Sequence, residues 1–97
     1  MSFAFTYYVY ILTNSTNSTL YIGLTNDLTK RVLQHKNASG SSFTKRYKIN
    51  RLVYFEIHSS SGEAFKRERQ LKKWNRAWKD QLITDKNPSW DDLADDW

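Results

Sequence analysis

The chain has no cysteine and only two histidines among its 97 residues. The absence of cysteine excludes disulfide bonds and thiolate metal sites, and two histidines are too few for a histidine-rich zinc site. A chain without cysteine also fits a reducing cytoplasm, where disulfides are rare. We therefore expect a cytoplasmic protein without disulfides or a zinc site.

The chain also lacks basic residues near its start and long hydrophobic runs. No lysine or arginine precedes Lys30, and the apolar run at residues 7–12 is short and contains three tyrosines. A signal peptide needs an early basic region, and a membrane span needs about 20 apolar residues. We expect neither. A chain of this length has room for one domain, which we predict as a core at residues 7–84 with a short, acidic, helical tail at 88–97.

Positive charge is concentrated in the middle of the chain. Fourteen lysines and arginines lie between Lys30 and Lys79 with only three glutamates among them, which gives this segment a local charge of +11. From Asp80 onward, six aspartates accompany a single lysine. A basic block of this density is typical of a protein that binds a polyanion, and a solvated charged face is the alternative interpretation.

Two short runs of alternating side chains predict a β-hairpin near the start of the chain. They occupy residues 7–12 and 20–24, and the polar segment between them has hairpin-turn composition. A four-residue loop would place Tyr10 opposite Tyr21. Two phenols would then share one sheet face beside Gly23, whose missing side chain leaves room for another group to approach.

Helical periodicity, capping sequences and β-branched or aromatic composition predict the remaining elements. The predicted fold class is α/β (α+β-type), with a small three-stranded antiparallel sheet flanked by helices. The strands are expected at residues 6–13, 18–24 and 51–57, and the helices at 26–37 and 61–79. Residues 38–42 are expected to form a loop, and residues 43–48 a basic, aromatic connector.

The tail has a weaker helical pattern. Trp90, Leu93 and Trp97 are spaced i, i+3 and i+7, so a short helix is expected to dock its apolar side against the body. Its four aspartates are expected to face water. The alternative is that these acids shield the basic face and tune nucleic-acid binding.

Glu68 interrupts the apolar face predicted for the second long helix, which otherwise carries Phe65, Leu71, Trp74 and Trp78. An unpaired carboxylate at an inward position is energetically unfavourable. Glu68 therefore needs a cation, which is either a neighbouring lysine or arginine in a structural pair or a bound metal ion.

Paired tyrosines, a following helix with an arginine and a histidine, and a later inward glutamate occur in an order that resembles the GIY-YIG nuclease superfamily. The two motif halves match Tyr8-Val9-Tyr10, with tyrosine in place of the first glycine, and Tyr21-Ile22-Gly23. The arginine of the family matches Arg31, its tyrosine or histidine four residues later matches His35, and its metal-binding glutamate matches Glu68.

The resemblance covers about residues 7–92. Residues 67–74 and 87–90 look like the small stand-alone bacterial branch, which is related to the N-terminal nuclease domain of the UvrC repair subunit. Two positions depart from the pattern. Leu24 stands where some relatives carry a lysine, and Asp80 stands where relatives use an asparagine.

The resemblance implies phosphodiester hydrolysis with one Mg²⁺ or Mn²⁺ ion per site. Tyr10 or Tyr21 would position or deprotonate the attacking water, and Arg31 would neutralise the phosphoryl oxygens. Glu68 would hold the ion, and His35 would share the role of base or hydrogen-bond the phosphate. The implied catalytic residues are therefore Tyr10, Tyr21, Arg31, His35 and Glu68, with Glu68 as the metal ligand.

The leading functional prediction is a monomeric, metal-dependent DNA endonuclease that acts in DNA repair or on structured DNA. RNA is not excluded as a substrate, a protein partner would supply targeting, and no membrane association is expected. The alternative is a non-catalytic nucleic-acid-binding module of the same fold, in which Tyr47 stacks on a base. The basic residues predicted to contact nucleic acid are Lys45, Arg46, Lys48, Lys66, Arg67, Arg69, Lys72 and Lys73, and the binding module would add Arg76. A third interpretation is a protein-interaction domain that exposes Trp78, Trp90 and Trp97.

Overall fold

Three antiparallel strands form the centre of the structure, a computed structural model that describes residues 6–37 and 42–97. They are β1 (Tyr7–Thr13), β2 (Leu20–Thr25) and β3 (Arg51–His58), in the spatial order β2-β1-β3. β1 is therefore the central strand, and β2 and β3 are the edges. The predicted three-stranded antiparallel sheet flanked by helices is confirmed.

Four helices complete the described parts of the chain: α1 (Leu28–Lys36), α2 (Ser42–Tyr47), α3 (Ser61–Lys73) and α4 (Arg76–Lys86). Side chains cap three of them at the N-terminus, where backbone N–H groups lack helical partners. Asp27, Ser60 and Asn75 accept hydrogen bonds from the N–H groups of Lys30, Glu63 and Trp78. No helix in these described ranges is long and apolar enough to cross a membrane.

Each face of the sheet packs against different helices. On one face, Val9 and Ile11 of β1 join a buried cluster with Ala64 and Leu71 of α3 and with Ile83 of α4. The opposite face carries a second cluster, in which residues of β1 and β3 pack with the buried side of α1. The alternation of side chains along β1 therefore sends adjacent residues into separate cores on either side of the sheet.

The hairpin register differs from the predicted one by two residues. Thr13 pairs with Leu20 rather than with Ser18, so Tyr10 lies opposite Gly23 and not opposite Tyr21. The loop is longer than predicted because its own side chains satisfy its backbone. Asn14 Oδ1 accepts the N–H groups of both Ser18 and Thr19, and the Thr13 hydroxyl donates to the Thr19 carbonyl at 2.8 Å. The predicted register was therefore wrong.

The single helix predicted at 61–79 is two helices. Trp74 is extended (φ −65°, ψ 150°) and ends α3, and Asn75 then caps α4. This break turns Trp78 outward, where it is 57% exposed. Its ring meets the Trp74 ring edge-on, with 5.9 Å between the ring centroids. Phe65 is also outside the core, at 53% exposed. Both were wrongly placed on the inward stripe.

The basic segment predicted as a connector contains α2, and the predicted loop falls mostly on residues 38–41, outside the described residues. The tail forms turns rather than the predicted helix. Trp90 has a positive φ of 53°, which a right-handed helix does not allow. Its carbonyl accepts from Arg51, so the tail binds the body in addition to forming its own turns.

Two polar side chains fasten the tail to β3. The buried Asn87 amide donates to the carbonyls of Val53 (3.0 Å) and Asp91 (2.9 Å), and its oxygen accepts the Asp91 N–H. Asp92 accepts the N–H of Leu52 at 3.1 Å and pairs with the Lys36 ammonium at 2.5 Å. Asp92 therefore binds the body, contrary to the expectation that it faces water, whereas the other three tail aspartates are exposed.

We predict that Asn87→Ala lowers the free energy of unfolding by about 1–3 kcal/mol, because the buried Val53 carbonyl loses its donor. The exposed Asn26, whose side chain has no hydrogen bond to the described residues, provides the matched control Asn26→Ala, with a change below roughly 0.5 kcal/mol. Urea unfolding of the three proteins measures both values. Equal stability of Asn87→Ala and wild type would show that the amide does not hold the tail.

Candidate active site

The Tyr10 ring lies across the backbone of Gly23 on the edge strand β2. A Cβ atom built on Gly23 would lie 2.4 Å from both Cζ and Oη of Tyr10, far inside contact distance. Gly23 does not have a positive φ, so it is needed for space rather than for an unusual backbone conformation. The room predicted beside this glycine is filled by the chain's own tyrosine.

Two further rings complete an aromatic cluster around Tyr10. His35 comes from α1, and its Nε2 atom lies 3.5 Å from the Tyr10 hydroxyl. The Tyr21 ring centroid is 5.4 Å from that of His35 and 6.4 Å from that of Tyr10. Tyr10 is only 2% exposed and His35 is 5% exposed, whereas Tyr21 is half-buried. Tyr21 is therefore the member of the cluster that meets solvent.

Electrostatics link this cluster to Arg31 and Glu68. Burial raises the pKa of Tyr10, the nearby Tyr21 and Glu68 raise it further, and Arg31 opposes them. Burial also lowers the pKa of His35, and the positive charge of Arg31 lowers it further. At neutral pH, Tyr10 is consequently a protonated phenol and His35 an uncharged imidazole.

Arg31 lies on the exposed side of α1. It lines a polar cleft of about 200 Å³ together with Thr25, Asn26, Asp27, Lys30 and Gln34. Its guanidinium therefore combines access to solvent with an electrostatic effect on both Tyr10 and His35. This is the position required of a cation that meets an incoming anion.

Glu68 approaches the cluster from α3. Only 14% of its side chain is exposed, and its carboxylate lies 3.4 Å from the ammonium of Lys72 one turn later. The Lys72 side chain is 54% exposed, so this pair contributes only about 0.3–0.5 kcal/mol. Lys72 is therefore the cation that Glu68 was predicted to need. Because this ion pair is weak, a divalent ion can replace Lys72 with little loss of stability.

The donor atoms at this site fit one hydrated magnesium or manganese ion. Within residues 6–37 and 42–97, no three histidine, cysteine, aspartate or glutamate side chains gather into a metal-binding group. A single carboxylate suits Mg²⁺, which keeps several water ligands and takes others from substrate phosphates. Glu68 is the residue that would hold such an ion beside Tyr10.

The structure divides the residues predicted to contact nucleic acid. Lys45, Arg46, Lys48, Lys66, Arg69, Lys72 and Lys73 are exposed on or just after α2 and on α3. Arg67 instead turns toward β3, where it donates to Glu56 at 2.8 Å. Arg76 binds the hairpin loop through the Ser18 carbonyl at 2.9 Å and pairs with Asp80 at 2.6 Å. Arg67 and Arg76 are thus bound within the protein.

A polar network that was not predicted from the sequence joins β3 to α3. The Glu56 carboxylate accepts hydrogen bonds from Tyr54 and Arg67, and His58 Nε2 lies 2.9 Å from it. Burial alone would raise the pKa of Glu56, but these hydrogen bonds hold it below its usual range. Burial and the Glu56 charge raise the pKa of Tyr54 to about 12. The i, i+2, i+4 spacing of these polar residues along β3 was the available signal.

This network fixes the orientation of α3. Arg67 immediately precedes Glu68, and its guanidinium is held between Glu56 on β3 and the Trp74 ring, whose centroid lies 5.2 Å away. The helix therefore cannot rotate about its axis without breaking a partly buried ion pair. Glu56 therefore holds the segment of α3 that carries Glu68.

Comparisons with known proteins agree on one family. The model of the GIY-YIG catalytic domain matches residues 6–81. A UPF0213 protein of Clostridium perfringens is 42% identical over 80 residues, which cover 82% of this chain and 85% of the relative. A UPF0213 protein of Staphylococcus saprophyticus is 35% identical over 79 residues, covering 81% and 95%. The solution NMR structure of a UPF0213 protein from Bacillus halodurans aligns with a TM-score of 0.58 and 30% identity, covering 90% of this chain and 92% of that one.

We predict that Gly23→Ala destabilises the protein by about 1–3 kcal/mol, because the new methyl group overlaps the Tyr10 ring and displaces it. Gly62→Ala is the matched control. The nearest atom to its Cβ is Ser60 Oγ at 3.7 Å, so alanine fits, and in the first turn of α3 it should stabilise by at most about 0.5–1 kcal/mol. Urea unfolding measures the change in stability of each variant, and the ring-proton NMR shifts of Tyr10 report whether its ring is displaced. Unchanged Tyr10 shifts in Gly23→Ala would refute the proposed packing.

Proposed function

Because the chain belongs to the GIY-YIG family, we propose that it is an endonuclease that hydrolyses phosphodiester bonds in DNA with the help of a divalent cation. The family membership inferred from the ordered motifs is confirmed. The observation that carries the proposal is the gathering of Tyr21, Arg31, His35 and Glu68 around the buried Tyr10. Phosphodiester hydrolysis needs a positioned water, a proton acceptor and positive charge on the phosphate, and these groups supply each requirement.

The two tyrosines take different roles. Burial raises the pKa of Tyr10, so its hydroxyl remains a hydrogen-bond donor and is a poor base. Tyr21 is half-buried and lies against His35, so we assign it to the attacking water. His35 is held neutral by burial and by Arg31, and a neutral imidazole can accept the proton that the water loses.

Arg31 and Glu68 would bind the charged partners of the reaction, the phosphate and the metal ion respectively. The Arg31 guanidinium is exposed to the polar cleft, where it can pair with two phosphoryl oxygens at once. Glu68 would hold the divalent ion, which when bound supplies Lewis-acid stabilisation of the leaving oxygen. The Glu56–Arg67 pair keeps Glu68 turned toward the cluster.

Exposed cations on α2 and α3 support a nucleic-acid substrate. By likeness to UvrC, we propose action in DNA repair or on structured DNA, as a monomer targeted by a partner protein. The cytoplasmic location remains a prediction from the sequence, which does not exclude RNA as a substrate.

A non-catalytic binding module remains the second candidate. Leu24 replaces the lysine of some relatives, and Asp80 replaces an asparagine and is paired with Arg76. A module of this kind would keep the basic surface and bind nucleic acid without cutting it.

We predict that wild-type protein with Mg²⁺ or Mn²⁺ cleaves members of a panel of labelled single-stranded, nicked, branched and duplex DNAs. Glu68→Gln removes the charge that holds the ion, so cleavage should fall roughly 100-fold or more. Glu63→Gln, at an exposed acid on the same helix, is the matched control and should cleave like wild type.

Cleavage that survives Glu68→Gln would contradict the assignment of this site. No cleavage by any variant, combined with equal and salt-sensitive DNA binding, would favour the binding module.

A further inference from the structure

Phe65 exposes its ring on the outer side of α3. Its side chain is 53% exposed, and the Arg69 guanidinium lies 5.5 Å from the ring centroid. The inward stripe of α3 is formed by Ala64 and Leu71 instead. The ring therefore contributes little to the core, and its exposed half is open to a ligand.

The depression beside Phe65 is lined by three cations, and no acid is among its described lining residues. The ring borders this shallow depression of about 540 Å³, lined by Gly62, Phe65, Lys66, Arg69, Gln70 and Lys73. Lys66, Arg69 and Lys73 form no ion pair with any residue in the described ranges. An exposed aromatic face among such cations has the chemistry that binds single-stranded nucleic acid, because bases stack on the ring while the cations meet the phosphates.

One residue of the depression, Phe65, is a helical neighbour of Glu68. Phe65 and Glu68 are three residues apart on α3, and residues at this spacing are neighbours on the helix surface with about 5–6 Å between Cβ atoms. Lys72, the present partner of Glu68, lies one turn after it, and its side chain is 54% exposed. One DNA strand can therefore contact the depression and Glu68 together.

We propose that Phe65, flanked by Lys66, Arg69 and Lys73, is a stacking site for an unpaired base of the DNA strand whose phosphate lies at Glu68. This inference rests on the proposed function and names its substrate class, DNA with a single-stranded segment next to the cleaved bond. In a duplex the faces of the bases are covered by their neighbours, so the Phe65 ring has no base face to contact. The cations alone would bind duplex DNA.

The test uses a single-stranded oligonucleotide that contains 2-aminopurine, a base whose fluorescence falls when it stacks. It is titrated in EDTA, so that binding is measured without cleavage. Phe65→Leu keeps an apolar side chain but removes the ring, and Phe65→Tyr restores a ring. Ile57→Ala is a control at an apolar residue of β3 that is 64% exposed.

Wild type and Phe65→Tyr should quench the probe, and Phe65→Leu should lose the quenching and bind single strands roughly 5- to 100-fold more weakly. Ile57→Ala should behave as wild type. Binding of an equivalent duplex should be unchanged in Phe65→Leu, because it depends on the cations.

Unchanged quenching and single-strand affinity in Phe65→Leu would overturn the proposal, as would an equal loss of affinity for duplex. Tighter binding of the corresponding RNA strand would overturn the choice of DNA. The outcome is independent of the nuclease assignment, because stacking is scored without metal and cleavage is scored separately with Glu68→Gln.

Discussion

The close contact between the Tyr10 ring and the Gly23 backbone is the constraint on which the rest of the site depends. The ring can cross the edge strand only where no Cβ is present. Once it does, its hydroxyl lies at the buried His35 imidazole, and Tyr21 packs beside both rings. The hairpin register brings Tyr10 opposite Gly23. The six-residue loop that determines this register therefore also determines where the Tyr10 ring lies in the site.

The site is assembled from elements on both sides of the sheet. α1 supplies Arg31 and His35 from the face that carries Tyr10, and α3 supplies Glu68 while packing against the other face. The sheet separates the side chains that α1 and α3 place on its two faces. Tyr10 nevertheless extends over the edge strand β2 and couples electrostatically to Glu68. Glu56 then fixes α3 in rotation through Arg67. The geometry of the candidate site therefore depends on packing on both faces of the sheet.

Strand alternation and helical caps are local signals, so they predicted the sheet and its flanking helices. The candidate site residues were chosen through the resemblance to the GIY-YIG nucleases, and the structure brings Tyr10, Tyr21 and His35 together. The wrong predictions concern places where packing and contacts between elements, rather than local sequence, decide the structure. Trp78 was placed inward because helical spacing does not show where Trp74 becomes extended. The tail was predicted as a helix because periodicity does not show that the Asn87 amide would bind β3. Phe65 fits an apolar stripe equally well whether or not the helix buries it.

The most direct test of the central claim is a pH titration of the protein labelled with ¹³C at the tyrosine ζ carbon, with Tyr10 assigned through Tyr10→Phe. A buried phenol beside Glu68 is predicted to stay protonated above the ordinary tyrosine pKa near 10. The Tyr10 resonance should therefore begin to shift only at pH values where an ordinary tyrosine is already mostly ionised. A Tyr10 midpoint at or below 10 would contradict the account, because the ring would then be solvated or act as the base.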